Sequence, residues 1–223
     1  MLSFLAKRIP RTPTAFQNPL VTDDGATMTE FLKPEHPHDG FCVRQTLFKE
    51  KVAKLRAAGQ ESVVIPPYHW HSHQTEYFIV EKGTMLVTID GKQQPFTKND
   101  GKLTILPELY HTFAFDTSLD EDLSIKIWAE PEEGASDKFF RNLFSYLDDC
   151  RKAKSPPNTF QLLLFLHSGE TYLVLPQLPK FLGKFISHWV LGYVGGKVIG
   201  EKLLGFKESY PEYWVDPDTK KEE

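Results

Sequence analysis

The chain has 223 residues, 40% of them hydrophobic and 13% aromatic, and carries a formal charge of −4. That is enough apolar material for one large domain, or for a domain with an appendage, and it excludes a chain disordered throughout. A mildly acidic balance without any long basic tract excludes the electrostatic footprint of a nucleic-acid binder.

In chain order, residues 1–6 form a short apolar stretch that precedes Lys7 and Arg8, the reverse of a secretory signal. Residues 1–22 contain Lys7, Arg8 and Arg11 and no acid, a pattern shared with mitochondrial transit segments, but Pro10, Pro13 and Pro19 interrupt any amphipathic helix. Residues 1–40 therefore read as an N-terminal arm, either mobile or strapped across the domain. The expected compartment is the cytoplasm, with the mitochondrion as the alternative. Cys42 and Cys150 share no metal or redox spacing and read as reduced thiols, one long-range disulfide being the other option.

Residues 41–130 read as short strands. Phe41–Phe48 opens the run, Ser62–Ile65 leads into a histidine-rich segment, and Met85, Val87 and Ile89 alternate with Thr84, Leu86 and Thr88. Asp90–Gly91 then supplies a two-residue hairpin turn of type I′, and Asn99–Asp100–Gly101 a second turn. Leu103–Leu106, His111–Phe115 and Leu123–Trp128 complete a mainly β pattern expected of a sandwich or barrel.

The chemistry concentrates in His69-Trp70-His71-Ser72-His73-Gln74-Thr75-Glu76. Alternate side chains of a strand share a face, so His69, His71 and His73 emerge together and two of them can chelate one ion. A short bend before Glu76 swings its carboxylate toward them. Imidazole and carboxylate without thiolate suit a divalent ion such as iron, manganese, nickel, copper or zinc in an open site rather than a structural zinc. His36, His38, His167 and His188 have no such spacing and read as ordinary surface or hydrogen-bonded residues.

This stretch resembles the cupin superfamily, whose first motif joins an H-x-H to a glutamate and a glycine and whose second adds one histidine. Here those positions are His69, His71, Glu76, Gly83 and His111. The family commonly has glycine three residues before the second-motif histidine and asparagine four after it, where this chain has Glu108 and Phe115. The resemblance implies an antiparallel β-barrel or jelly roll, a metal held by His69, His71, His111 and Glu76, and a homodimer. Glu76 would serve as fourth ligand or as a proton acceptor. His73 is extra by this alignment and a candidate for proton transfer, although a shifted register would make His71 and His73 the chelating pair.

Alternation also gives the site its walls. Phe113 and Phe115 share the face of His111, and Phe78 and Val80 that of Glu76, so Phe78, Phe113 and Phe115 are candidate substrate-lining residues of an apolar cavity.

From residue 131 the period changes. Phe139, Phe140, Leu143, Phe144 and Leu147 recur at helical spacing behind Ser136 or Asp137 as N-cap. Thr159–Leu166 reads as a short helix or strand, and residues 181–206 as one long helix or two broken by glycines, with Gly196 and Gly200 in small-xxx-small spacing. Lys184, His188, Lys197 and Glu201 argue against a membrane span. Residues 131–223 thus read as a helical cap, lid or dimer support. No phosphate-binding glycine motif follows a strand, which argues against nicotinamide, flavin or ATP. The expected function is metal-dependent, dioxygenase-type oxidation of a small aromatic or polyketide-like molecule. The alternatives are a non-redox isomerase, dehydratase or cyclase, and a ligand-binding cupin without catalysis.

Overall fold

In the computed structural model, which describes residues 6, 8–32, 41–119, 121–131 and 136–216, the alternating segments form two antiparallel sheets. The first has six strands in the order β1 (Leu20–Thr22), β2 (Thr27–Leu32), β3 (Cys42–Leu47), β10 (Leu123–Glu130), β5 (Thr75–Lys82) and β8 (Lys102–Ile105). The second has five in the order β11 (Thr171–Leu173), β4 (His69–His71), β9 (His111–Phe115), β6 (Thr84–Ile89) and β7 (Lys92–Thr97). Their inward faces share one core, in which Val43, Phe78 and Ile125 of the first sheet join Met85, Val87 and Phe113 of the second. The outward positions are polar or half-buried, as the period of two requires.

Turn chemistry sets the register. Asp90 and Gly91 both take positive φ (45° and 80°), the geometry that a two-residue turn needs to match the twist of β6 and β7. Gly83, between β5 and β6, has φ 80°, and a Cβ there would run into the carbonyl oxygen of Asp122. The motif glycine is therefore fixed twice, by its conformation and by close backbone approach.

The stretch expected as an arm does two jobs. Thr27, Thr29 and Phe31 alternate inward, so β1 and β2 extend the first sheet beyond β3. Ahead of them the chain is strapped to the helical region, where Thr12 donates from both its backbone N–H and its hydroxyl to Asp149, and Thr14 bonds Ser145. Residues 33–40, with His36 and His38, and residues 132–135, which include most of the expected break after the barrel, lie outside the described residues.

Helix α1 (Lys49–Ala57) follows β3 and buries Val52 in the core. Helix α2 (Asp137–Lys152) starts at Ser136, whose hydroxyl accepts the N–H of Phe139 at 3.4 Å. Helix α3 (Thr159–Ser168) is capped by Asn158, which accepts the N–H groups of Phe160 and Gln161. After β11, α4 (Lys180–Phe185) continues into a π-helical stretch, Ile186–Leu203. A Cβ at Gly196 would stand 2.8 Å from the carbonyl oxygen of Leu163, and one at Gly200 2.8 Å from that of Phe160. The small-xxx-small spacing thus lets this segment lie directly on the backbone of α3. No helix among the described residues is long and apolar enough to cross a membrane, and both cysteines are free thiols.

Candidate metal centre

Three strands from two sheets meet at the histidine motif. His69 and His71 are the ends of β4, His111 opens β9 opposite His69, and Glu76 comes from β5 in the other sheet. One donor atom from each of these four residues lies within 4.8 Å of the other three, close to twice the ~2.1 Å bond of a divalent ion to nitrogen or oxygen. All three imidazoles are buried.

The backbone decides which nitrogen faces inward. Nδ1 of His69 donates to the carbonyl of Pro67 at 2.8 Å, Nδ1 of His111 to that of Leu109 at 2.9 Å, and Nδ1 of His71 to that of Glu170 at 3.1 Å. A carbonyl can only accept, so each Nδ1 carries a proton, and in the neutral imidazole Nε2 is then the nitrogen with the lone pair, as a metal ligand needs. His111 Nε2 stands 3.0 Å from Glu76 Oε2. His71 Nε2 lies 3.8 Å from the same oxygen, too far for a hydrogen bond, and is buried without a partner. An orphaned buried acceptor is costly unless something fills the space before it, and a cation does so. The donor set, borderline imidazoles with one hard carboxylate, fits a divalent ion.

Electrostatics agree with the geometry. Burial pushes the Glu76 carboxyl up, but its histidine neighbours outweigh that and hold it well below the usual carboxylate range. Burial, with His111 and His71 adding to it, pushes His69 well below the usual imidazole range. The cluster therefore sets a carboxylate beside a neutral His69.

His73 goes elsewhere. Its side chain is 76% exposed, and its Nδ1 lies 2.9 Å from Ser72 Oγ and 3.3 Å from Glu170 Oε2; β4 ends before it, and the pair that converges with Glu76 and His111 is His69 with His71. Glu170 itself is not legible from the sequence. It lies 99 residues beyond His71, at a positive φ of 53°, where the chain turns from α3 into β11 and lays that short strand beside β4.

The cluster opens onto a cavity of about 430 Å³. Phe78 and Phe113 form its barrel wall, while Phe139, Phe140, Leu143, Phe144 and Leu147 of α2 and Leu162, Leu163 and Leu166 of α3 close the opposite side. Phe115 does not reach it, because it packs in the barrel core opposite Met85. The helical period read after residue 131 is thus the inner face of a cap over the ligand cluster.

No family model matches the chain. Among curated proteins, "Probable oxidoreductase virH" of Hypocrea virens is 35% identical over 224 residues, 98% of this chain and 96% of its own. "Oxidoreductase iacF" of Pestalotiopsis fici is 34% identical over 201 residues, 87% of this chain and 93% of its own. "Epoxidase atD" of Aspergillus terreus is 28% identical, covering 94% of this chain and 67% of its own. Among solved structures, KdgF from Halomonas is 12% identical over 47% of this chain and 78% of its own, with a TM-score of 0.32. A cupin-2 domain from Rhodospirillum rubrum is 12% identical over 48% of this chain and 61% of its own, with a TM-score of 0.33. Superpositions at that level add no weight, and the cupin fold is read instead from the two antiparallel sheets and from motif residues that converge from β4, β5 and β9. Matched along nearly its whole length, this chain belongs to the family of oxidoreductases that includes virH and iacF, built on a cupin barrel.

Proposed function

We propose that the protein is a metal-dependent oxidoreductase that carries out dioxygenase-type oxidation of a small aromatic or polyketide-like molecule bound in the capped cavity. One observation carries this reading: four donor atoms converge, and three of the residues that offer them, His69, His71 and Glu76, line an apolar cavity of about 430 Å³. The oxidoreductase names of the relatives favour oxidation over isomerisation, and the epoxidase name accords with transfer of oxygen to carbon.

His69, His71 and His111 would hold the ion, and Glu76 would complete the set. A redox-active divalent ion supplies Lewis acidity toward an enolate or catecholate oxygen and the electrons for reaction with dioxygen. The chain's own residues do the rest. The carbonyls of Pro67, Leu109 and Glu170 hold the imidazoles in the metal-binding tautomer. Glu76, kept ionised by its histidine neighbours, would serve as that fourth ligand or accept the substrate proton. Phe78 and Phe113 on one side and the apolar face of α2 on the other keep water from the reacting end.

The test combines elemental mass spectrometry with oxygen uptake. Protein purified without an affinity tag is expected to contain near-stoichiometric iron, manganese, nickel or copper, lost in the His69→Ala, His71→Ala double variant. Turnover of an apolar enol or catechol panel is expected to consume dioxygen. Turnover that continues undiminished without dioxygen would replace oxidation by a non-redox isomerase or cyclase reaction, and absence of metal even after reconstitution would sink the metalloenzyme.

A further inference from the structure

The cavity has a second polar pole. Gln45 on β3 lines it, is 1% exposed, and has a side-chain Oε1 with no hydrogen-bond partner. Apart from the ligand set, the other polar side chains on the described wall are Thr159 and Thr171. Thr171 already donates to the carbonyl of Gly169 at 3.0 Å, and Thr159 is exposed at the start of α3. Gln45 is therefore the buried acceptor, among these, that the protein leaves unmet. In an apolar core this is destabilising, and a hydrophobic residue would serve packing better.

Strand register fixes its place. Gln45 pairs with Ile125 on β10, Ile125 pairs with Val80 on β5, and Val80 lies on the inward face two alternations along from Glu76. With a rise of ~3.3 Å per residue and ~4.8 Å between strands, Gln45 stands roughly 13 Å along the strands and about 10 Å across the sheet from Glu76. Phe78 and Ile127 line the wall between them.

Building on the reading of this cavity as the substrate site, we propose that Gln45 forms a subsite for a hydroxyl group at the far end of an elongated, otherwise apolar substrate whose reacting end lies at the histidine cluster. Oε1 accepts the hydroxyl proton. The cavity then selects by length and by one remote polar group: the walls accept aromatic or polyketide-like carbon, and the hydroxyl fixes which end faces the ligands. An analogue lacking it leaves Oε1 unmet and binds more weakly, because a buried polar group discriminates by the partner it lacks.

Two probes test this on the full chain, biphenyl and 4-hydroxybiphenyl, with affinity read by quenching of tryptophan fluorescence. Wild type is expected to bind 4-hydroxybiphenyl about tenfold more tightly, the effect of one hydrogen bond in an apolar site. Gln45→Met, similar in shape and without the acceptor, is expected to keep biphenyl binding and lose the preference, with an unfolding temperature at or above that of wild type. Retained biphenyl binding is also the check that the variant has folded. Leu143→Trp, which fills the cavity from α2, is expected to abolish binding of both probes. An unchanged hydroxyl preference in Gln45→Met, or loss of both probes in a variant that still melts normally, overturns the subsite and leaves the cavity standing. Failure of wild type to bind either probe, or undiminished binding to Leu143→Trp, removes the cavity as a substrate site and the subsite with it.

Discussion

Stripping divalent ions from the protein should lower its unfolding temperature by several degrees, and restoring one should reverse the loss. Glu76 stands on β5 in one sheet and the three imidazoles on β4 and β9 in the other, so an ion at this point ties the two sheets together. It also fills the space before His71 Nε2, which has no partner otherwise. A ligand that binds only the folded state, at one hundred times its dissociation constant, contributes about 2.7 kcal/mol. For a domain of this size each kcal/mol moves the midpoint by roughly 2–4 °C, which gives about 5–10 °C. The assay is scanning calorimetry on chelator-treated protein, titrated separately with manganese, iron, nickel, copper and zinc. His71→Ala supplies the control, since its melting should respond little to any of them. Midpoints equal to within about 1 °C for wild type under every ion would refute the reasoning, because the four donors would then be paired with one another rather than arranged around a cation.

Three further outcomes follow from other parts of the molecule. Gly196→Ala forces a Cβ to within 2.8 Å of the carbonyl of Leu163, with backbone on both sides, and should cost about 1–3 kcal/mol in urea unfolding; a neutral result would mean that the segment shifts off α3 freely. Asp149→Ala leaves the hydroxyl of the buried Tyr213 and both donors of Thr12 unmet, and should cost about 3–5 kcal/mol while exposing the N-terminal strap to limited proteolysis. His167 is held below the usual imidazole range by burial first, then by His188 and Lys197, with Glu170 and Glu208 opposing. Its depressed value means that the folded state resists protonation, so stability is complete above the unfolded value of 6.5 and is lost as pH falls through it. The urea midpoint should drop between pH 7.5 and 5.5, less steeply in His167→Gln, and an identical slope in both proteins would assign the loss to other groups.

What the sequence makes legible here is what short-range periodicity encodes. His69, His71, Glu76 and His111 can be picked out because strand alternation and motif spacing place them, and α2 because Phe139, Phe140, Leu143, Phe144 and Leu147 repeat on one helical face. The strands β1 and β2 are hidden among prolines and threonines whose inward alternation acquires meaning only beside β3. β11 spans three residues, too few to show any period, yet it covers β4. Gln45 shares the face of Val43 and Leu47 by strand alternation, but a glutamine on a strand ordinarily faces water, and the structure is what places it on the cavity wall. Phe115 obeys the same alternation as Phe113, but it packs in the core and does not line the cavity.

The carbonyl of Glu170 has a consequence for how the protein is made. His71 leaves the ribosome 99 residues ahead of the group that orients its ring, and β11 reaches β4 only after the barrel and both capping helices have been synthesised. A nascent barrel therefore carries its motif histidines before the carbonyl that orients one of them exists, and loading of the proposed ion would be completed only once β11 is in place. A shortened gene product that ended after β10 would keep every motif residue and lack the carbonyl that orients His71, so intact motif residues alone would be a poor guide to which fragments or fusions retain the arrangement of the cluster.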